Sequence, residues 1–186
     1  MQHLSCDRQN CRRQKISNTR EQILDIAETG YRQGGFDGLS FRDIADELGI
    51  KSASVHYHFR HKEDLGSAVV QRYAEELLAR LGEPDNPAET SGDRLERLIN
   101  AYKAAYAEGK SSCLCAVLGS VNPHLPPAVQ KAIRQFFSRL LLWAEQGKIR
   151  NPAQIVSALQ GAMILSVATG DAGHLDRVAQ DLAGAT

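Results

Sequence analysis

Histidine and cysteine are the residues here whose type and spacing could do chemistry. His56, His58 and His61 lie in the stretch GIKSASVHYHFRHKEDL, Gly49 to Leu65, which holds half of the chain's six histidines. Zinc ligation and acid–base catalysis are the sharp readings. On a helix, however, side chains two positions apart point about 200° away from each other, so one ion cannot use both His56 and His58. Catalysis would need a Ser or Cys nucleophile with an orienting carboxylate, and none is recognisable nearby. No catalytic set, metal site or cofactor is expected.

Cys113 and Cys115, in SSCLCAVLGS, allow two readings. Buried cysteines are commonly small apolar fillers, whereas a thiol modified by an oxidant or electrophile would act as a sensor. A disulfide framework is not expected. The N-terminus, MQHLSCDRQNCRRQKISNTR, has basic residues without the apolar run of a secretory signal. The chain therefore reads as cytoplasmic, where thiols stay reduced. His3, Cys6 and Cys11 have a loose metal-like spacing, but no second ligand pair follows. Residues 1–18 read as a flexible basic arm.

The elements that must position these residues are helices. A period of 3.6 residues in Ile23, Ile26, Ala27 and Tyr31 predicts a helix over 19–34, with Thr19 and Gln22 as a capping box. Ser40 and Asp43 form a second box, and Phe41, Ile44, Ala45 and Leu48 the stripe of a short helix that Gly49 stops. A third runs from about Ser52 to Phe59. A long fourth begins near Lys62, carries Leu65, Val69, Tyr73, Leu77 and Leu81, and ends in the loop GEPDNPAETSG, 82–92. Beyond it, helices are expected to Gly109, from Cys113 to Val121, from Pro127 to Gln146, from Asn151 to Gly170, and from Asp171 to Ala183. The longest apolar stretch, Ile155 to Gly170, is interrupted by Ser157, Gln160, Ser166 and Thr169 and falls short of about 18 residues, so no membrane association is expected. No stretch alternates as a strand would. The fold class is all-α, with about nine helices.

Charge then singles out one region. The chain's 22 basic and 22 acidic residues cancel, so any polyanion surface must be local. Between Gly49 and Lys62 there is no carboxylate, while Lys51, Arg60 and Lys62 supply positive charge. A capped two-turn helix, a glycine turn and a second short helix with a small or polar face have the shape of a helix-turn-helix. Ser52, Ala53 and Ser54 would let the backbone approach base edges. Tyr57, His58 and Lys62 suit phosphates, and Arg8, Arg12, Arg13, Lys15 and Arg20 could add contacts. With Ser40, Lys51 and His56, these helix-turn-helix positions are the candidate DNA contacts.

FDGLSFRDIADELGIKSASVHYHFRHKEDL resembles the TetR family of bacterial transcriptional repressors. The resemblance rests on Gly35, Phe36, Ser40, Ile44, Ala45, Gly49, Ile50, Tyr57, His58, Phe59, Lys62, Glu63 and Leu65. It departs from the family pattern at His56, where a phosphate-binding tyrosine usually stands. The resemblance implies a DNA-binding domain with its connecting helix over 19–81 and a ligand-binding and dimerisation domain over 93–186. It also implies a homodimer on a pseudo-palindromic double-stranded operator, released by a small-molecule effector. Tyr102, Tyr106, Cys113, Cys115, His124, Phe136, Trp143 and Met163 are the candidate cavity residues. Gly161 and Ala162 suggest close helix approach, placing the dimer seam there and on the helix from Pro127 to Gln146. The alternatives are a thiol-based repressor using Cys113 and Cys115 and, from a different class, a small helical enzyme or metal-binding protein. The last lacks any Glu-x-x-His, His-x-x-x-His or Cys-x-x-Cys in the C-terminal half.

Overall fold

The computed structural model describes residues 8–109 and 111–184, with side chains from Asn18 onward. All regular structure among the described residues is helical. The order is α1 (Arg8–Gly34), a 3₁₀ turn (Phe36–Gly38), α2 (Phe41–Leu48), α3 (Ser52–His58), α4 (Lys62–Leu81), α5 (Ser91–Gly109) and α6 (Leu114–Gly119). A second 3₁₀ turn (Asn122–His124), α7 (Pro127–Gln146), α8 (Pro152–Thr169) and α9 (Gly173–Gly184) follow.

Local chemistry sets the first unit. Ser40 caps α2: its hydroxyl accepts from the Asp43 N–H at 3.3 Å, and the Asp43 carboxylate accepts from the Ser40 N–H at 2.7 Å. Gly49 ends α2 in the left-handed region, φ 64°, where a side chain would be strained. There the Ile50 N–H reaches the Ala45 carbonyl at 2.9 Å, which turns the chain into α3. Ile23, Leu24 and Ala27 of α1, Ile44 and Ala45 of α2, Val55 of α3, Phe59 and Leu65 are all buried and form one apolar centre.

Helix α4 carries that unit into the rest of the molecule. It packs along α7, with the Tyr73 and Phe136 rings 5.7 Å apart. At Gly66 the two parts meet closely: a Cβ there would lie 2.6 Å from Phe36 Cε2 and 3.0 Å from Val129 Cγ2. Arg72 ties α4 to α1 by reaching Asp25 at 2.7 Å and Glu28 at 3.2 Å. The 82–90 loop is held by Trp143, whose indole N–H donates to the Gly82 carbonyl at 2.7 Å.

Several boundaries differ from expectation. Helix α1 already includes Arg8, so Thr19 and Gln22 lie inside it and are no cap, and the backbone of 8–18, expected as an arm, is helical. The repeated apolar positions begin at Ile23, and helix that precedes them has no stripe to reveal it. The loop stops at Thr90, because Thr90 and Asp93 cap α5 with paired 2.7 and 3.2 Å bonds. The stretch after Gly119 becomes a 3₁₀ turn at Pro123, which has no N–H to continue an α-helix. Helix α8 has 18 residues and a mean hydropathy of 1.3, enough by length and composition alone to cross a membrane. It instead places Ile155, Val156, Leu159, Ala162 and Met163 in the core.

Candidate nucleic-acid interface

Helix α3 is anchored from beneath by Val55, at 0% exposure, and by Phe59 just past its end, at 4%. The opposite face is open: Lys51, Ala53, His56 and Tyr57 are exposed, while Ser52, Ser54 and His58 are half-buried. Tyr57 is 72% exposed, far more than a phenol needs for packing. Its ring meets His58 edge-on at 5.4 Å. His56 turns the other way, edge-on against Phe41 of α2 at 4.8 Å. The imidazoles at 56 and 58 thus stack against different aromatic partners.

The flanking groups have defined partners. Burial, with the Arg20 charge adding to it, pushes His58 below the usual imidazole range, so it stays neutral and keeps one N–H to donate. Arg20 itself lies over the Phe59 ring at 5.3 Å. Lys62, on the first turn of α4, is 3.5 Å from the Asp37 carboxylate and 4.8 Å from the Phe36 ring centre. Asp37 is 99% exposed there, so the pair is solvated and readily exchanged for another anion. The Ser40 hydroxyl is less available than its position suggests, because it donates to Asp43 at 2.7 Å. Those bonds from Ser40 also hold the Asp43 carboxyl below its ordinary range. His3 and Cys6, and the side chains of Arg8, Cys11, Arg12, Arg13 and Lys15, lie outside the described residues.

The candidate cavity residues separate into two groups. Tyr102, Cys113 and Cys115 come together with two residues that sequence reading assigned other roles, Tyr73 and Gln160. The Gln160 amide donates to Tyr102 Oη at 3.0 Å, Tyr73 and Gln160 both reach the Cys113 thiol, and Phe136 packs on Tyr73. Burial, followed by the nearby Cys113 charge, raises both Tyr73 and Tyr102. Met163 is buried and Tyr106 half-buried. His124 is exposed in its 3₁₀ turn, and Trp143 is occupied with Gly82 and with Arg97, which lies 5.6 Å above its ring. Trp143 is a clasp on the 82–90 loop; its large apolar ring had suggested a pocket wall. Tyr73 had merged with the apolar stripe of α4. The one signal available for Gln160 was a polar side chain in the middle of an apolar run.

A capped helix, a left-handed glycine turn and a second helix presenting a polar, carboxylate-free face define a helix-turn-helix DNA-binding protein. The sequence profile "Bacterial regulatory proteins, tetR family" matches residues 23–69. Among solved structures, a TetR transcriptional regulator from Legionella pneumophila is 30% identical with a TM-score of 0.81, covering 89% of this chain and 95% of that one. A TetR-family regulator from Agrobacterium tumefaciens is 26% identical with a TM-score of 0.80, covering 91% and 97%. The HTH-type transcriptional repressor KstR2 of Rhodococcus jostii is 33% identical over 89 residues, 47% of this chain and 44% of that protein. For the Mycolicibacterium smegmatis KstR2 the share is 42%, so the chain spans less than half of the length of these curated relatives. The chain belongs to the TetR family of transcriptional regulators, a family of DNA-binding proteins and not of enzymes.

Proposed function

We propose that this protein is a ligand-released repressor that binds a pseudo-palindromic DNA operator as a homodimer in the cytoplasm. The observation that carries the reading is the open face of α3, with Lys51, Ala53, His56 and Tyr57 exposed above a fully buried Val55. Small side chains at its start permit close approach to base edges, while Tyr57, His58 and Lys62 are placed around it as donors to phosphates. That the KstR2 relatives are transcriptional repressors favours repression over activation.

Homodimerisation is supported by the apolar surface left on the last long helices. Leu142 on α7 and Ile164 and Leu165 on α8 are each 51% exposed, and Val167 is 43% exposed. A Cβ added at Gly161 would meet nothing within 4 Å, so another helix has room to approach that side of α8. Exposed large apolar side chains on two helices that pack together fit an association site. A dimer must present two α3 helices at about 34–36 Å or a multiple of it. Helix α4, joined to α1 by Arg72 and to α7 by packing, would convert a small shift in the effector domain into a change of that spacing.

Selection of genomic fragments by the purified protein, followed by footprinting, tests the reading. The expected result is a protected two-fold symmetric site with half-sites one or two helical turns apart. Equal affinity for every DNA sequence at low and moderate salt would overturn it.

A further inference from the structure

DNA reading leaves the opposite end of the molecule without a role. There the loop 147–151 between α7 and α8, the start of α5 and the end of α9 surround a cavity of about 450 Å³, within the range of about 300–1,000 Å³ usual for small-molecule sites. Leu95, Ile149 and Ile155 form its floor at 2%, 5% and 8% exposure, and the half-buried Leu182 of α9 adds a wall.

The rim is cationic. Lys148 and Arg150 both line the cavity, both are exposed, and among the described residues neither side chain has an ion-pair or hydrogen-bond partner. By contrast, Arg94, Arg97, Arg139 and Arg177 each meet a carboxylate. No Asp or Glu lines this cavity. A solvated cation is ordinary on a surface. Two of them at the edge of a buried apolar floor, with no carboxylate among the lining residues, leave an unbalanced positive field there.

The loop is shaped for that arrangement. Lys148 at φ 56° and Asn151 at φ 50° stand in the left-handed region that favours glycine. Between them Ile149 is buried while Arg150 stays exposed, and the Ile149 N–H donates to the Ala144 carbonyl at 3.0 Å. Asn151 gives α8 no side-chain cap, and the first turn of that helix has no acidic residue, so its positive end adds to the same field.

We propose that this cavity is an effector site for a small amphipathic monocarboxylate. The hydrocarbon chain lies on Leu95, Ile149, Ile155 and Leu182, and the head is held by Arg150 and Lys148. A guanidinium can engage both oxygens of a planar carboxylate, and the ammonium adds a point charge beside it. A neutral apolar molecule would leave the cations unmatched, and a bare anion would leave the floor wet.

Two contacts join this loop to the end of α4. The Gly147 carbonyl accepts from Arg94 at 3.4 Å, and the same guanidinium donates to the Asn86 carbonyl of the 82–90 loop at 2.6 Å. Trp143, one turn before Gly147, donates to the Gly82 carbonyl. A ligand that displaces 147–151 therefore acts on the C-terminal end of α4, whose other end joins the DNA-reading unit. Release of DNA rests on the repressor reading; binding of the carboxylate does not.

The test is titration of the full-length protein with sodium octanoate, followed by calorimetry and by the emission of Trp143, the one tryptophan of the chain. The expected result is saturable binding, about 15-fold tighter than hexanoate for two further buried methylenes and about tenfold or more tighter than octanol, which lacks the charge. Lys148→Gln combined with Arg150→Gln, at exposed positions, should weaken octanoate about tenfold or more and leave octanol unaffected. Octanoate should lower affinity for the selected operator about tenfold, within ordinary allosteric coupling, but not in the double variant. An absence of saturable octanoate binding would overturn the proposal, as would equal affinity for octanoate and octanol, a double variant that binds octanoate like wild type, or saturating octanoate that leaves operator affinity unaltered. Tighter binding of octyl phosphate than of octanoate would overturn the carboxylate assignment. If the ligand-free protein selects no DNA sequence, the repressor reading fails and takes the release with it, while the titration still decides the site.

Discussion

Replacing Lys62 by methionine isolates its charge. The side chain is about two-thirds buried, with its ammonium 4.8 Å from the Phe36 ring centre and 3.5 Å from Asp37. Methionine keeps the stem packed on Phe36 and removes only the ammonium. The lost cation–π contact and the solvated Asp37 pair together cost about 1–2 kcal/mol of fold stability at most, so the variant remains folded. On DNA the loss should be electrostatic and independent of sequence. Each phosphate neutralised contributes about −0.9 to the slope of log K against log salt, so two Lys62 residues in a dimer contribute about −1.8. Between about 50 and 200 mM salt, the advantage of wild type over the variant should shrink about 12-fold, since the slope difference acts over a fourfold change in salt. Fluorescence anisotropy on the selected operator and on a scrambled duplex across that range measures both quantities. Asp37→Asn is the control: it removes the competing carboxylate and should raise affinity at low salt. A Lys62→Met slope equal to wild type would refute the phosphate assignment and leave Lys62 as a packing residue.

Four further outcomes are expected. Tyr57→Phe should weaken operator binding about thirtyfold, the equivalent of one hydrogen bond near 1 kcal/mol in each protomer of a dimer, and by more than His56→Ala, because Tyr57 is 72% exposed while His56 packs edge-on against Phe41; the reverse order would assign the contact to His56. Gly66→Ala gains about 1 kcal/mol of helix propensity but must push back the Phe36 ring and Val129 at a cost of about 1–3 kcal/mol, so urea denaturation should show a net loss, and a gain would sink the argument. Leu165→Glu on the exposed side of α8 should sediment as a monomer; an unchanged dimer would move the seam elsewhere. His58 sits below its ordinary imidazole value, so in the interval between the two the unfolded chain binds more protons than the folded one, and stability should rise with pH there and fall as the pH drops below neutral. His58→Gln should flatten that dependence, as judged from urea midpoints across the range.

How much was legible followed the range of the interactions. Ser40, Asp43 and Gly49 act on neighbours three or four positions away, so the capped helix and its turn could be read directly. The amphipathic stripes of α2, α4 and α7 could be read for the same reason. Helix before Thr19 could not, because it has no apolar period. The contacts of Trp143 could not be read either, since its partners Gly82 and Arg97 are remote in sequence. The Ser40 hydroxyl was legible as a cap, but the strength of its bonds to Asp43, which reduces its availability to DNA, appeared only in the geometry.

By itself the sequence determined an all-helical chain with a DNA-reading helix-turn-helix, because capping, glycine turns, apolar periods and local charge are decided within a few residues. Tertiary structure decided which face of α3 is open, that Lys62 meets Asp37, and that Tyr73, Tyr102, Cys113, Cys115 and Gln160 converge from four helices. The physical reason is that a buried polar contact such as Gln160 to Tyr102 joins side chains 58 positions apart. Such groups lie far from each other along the chain and meet only when the helices pack.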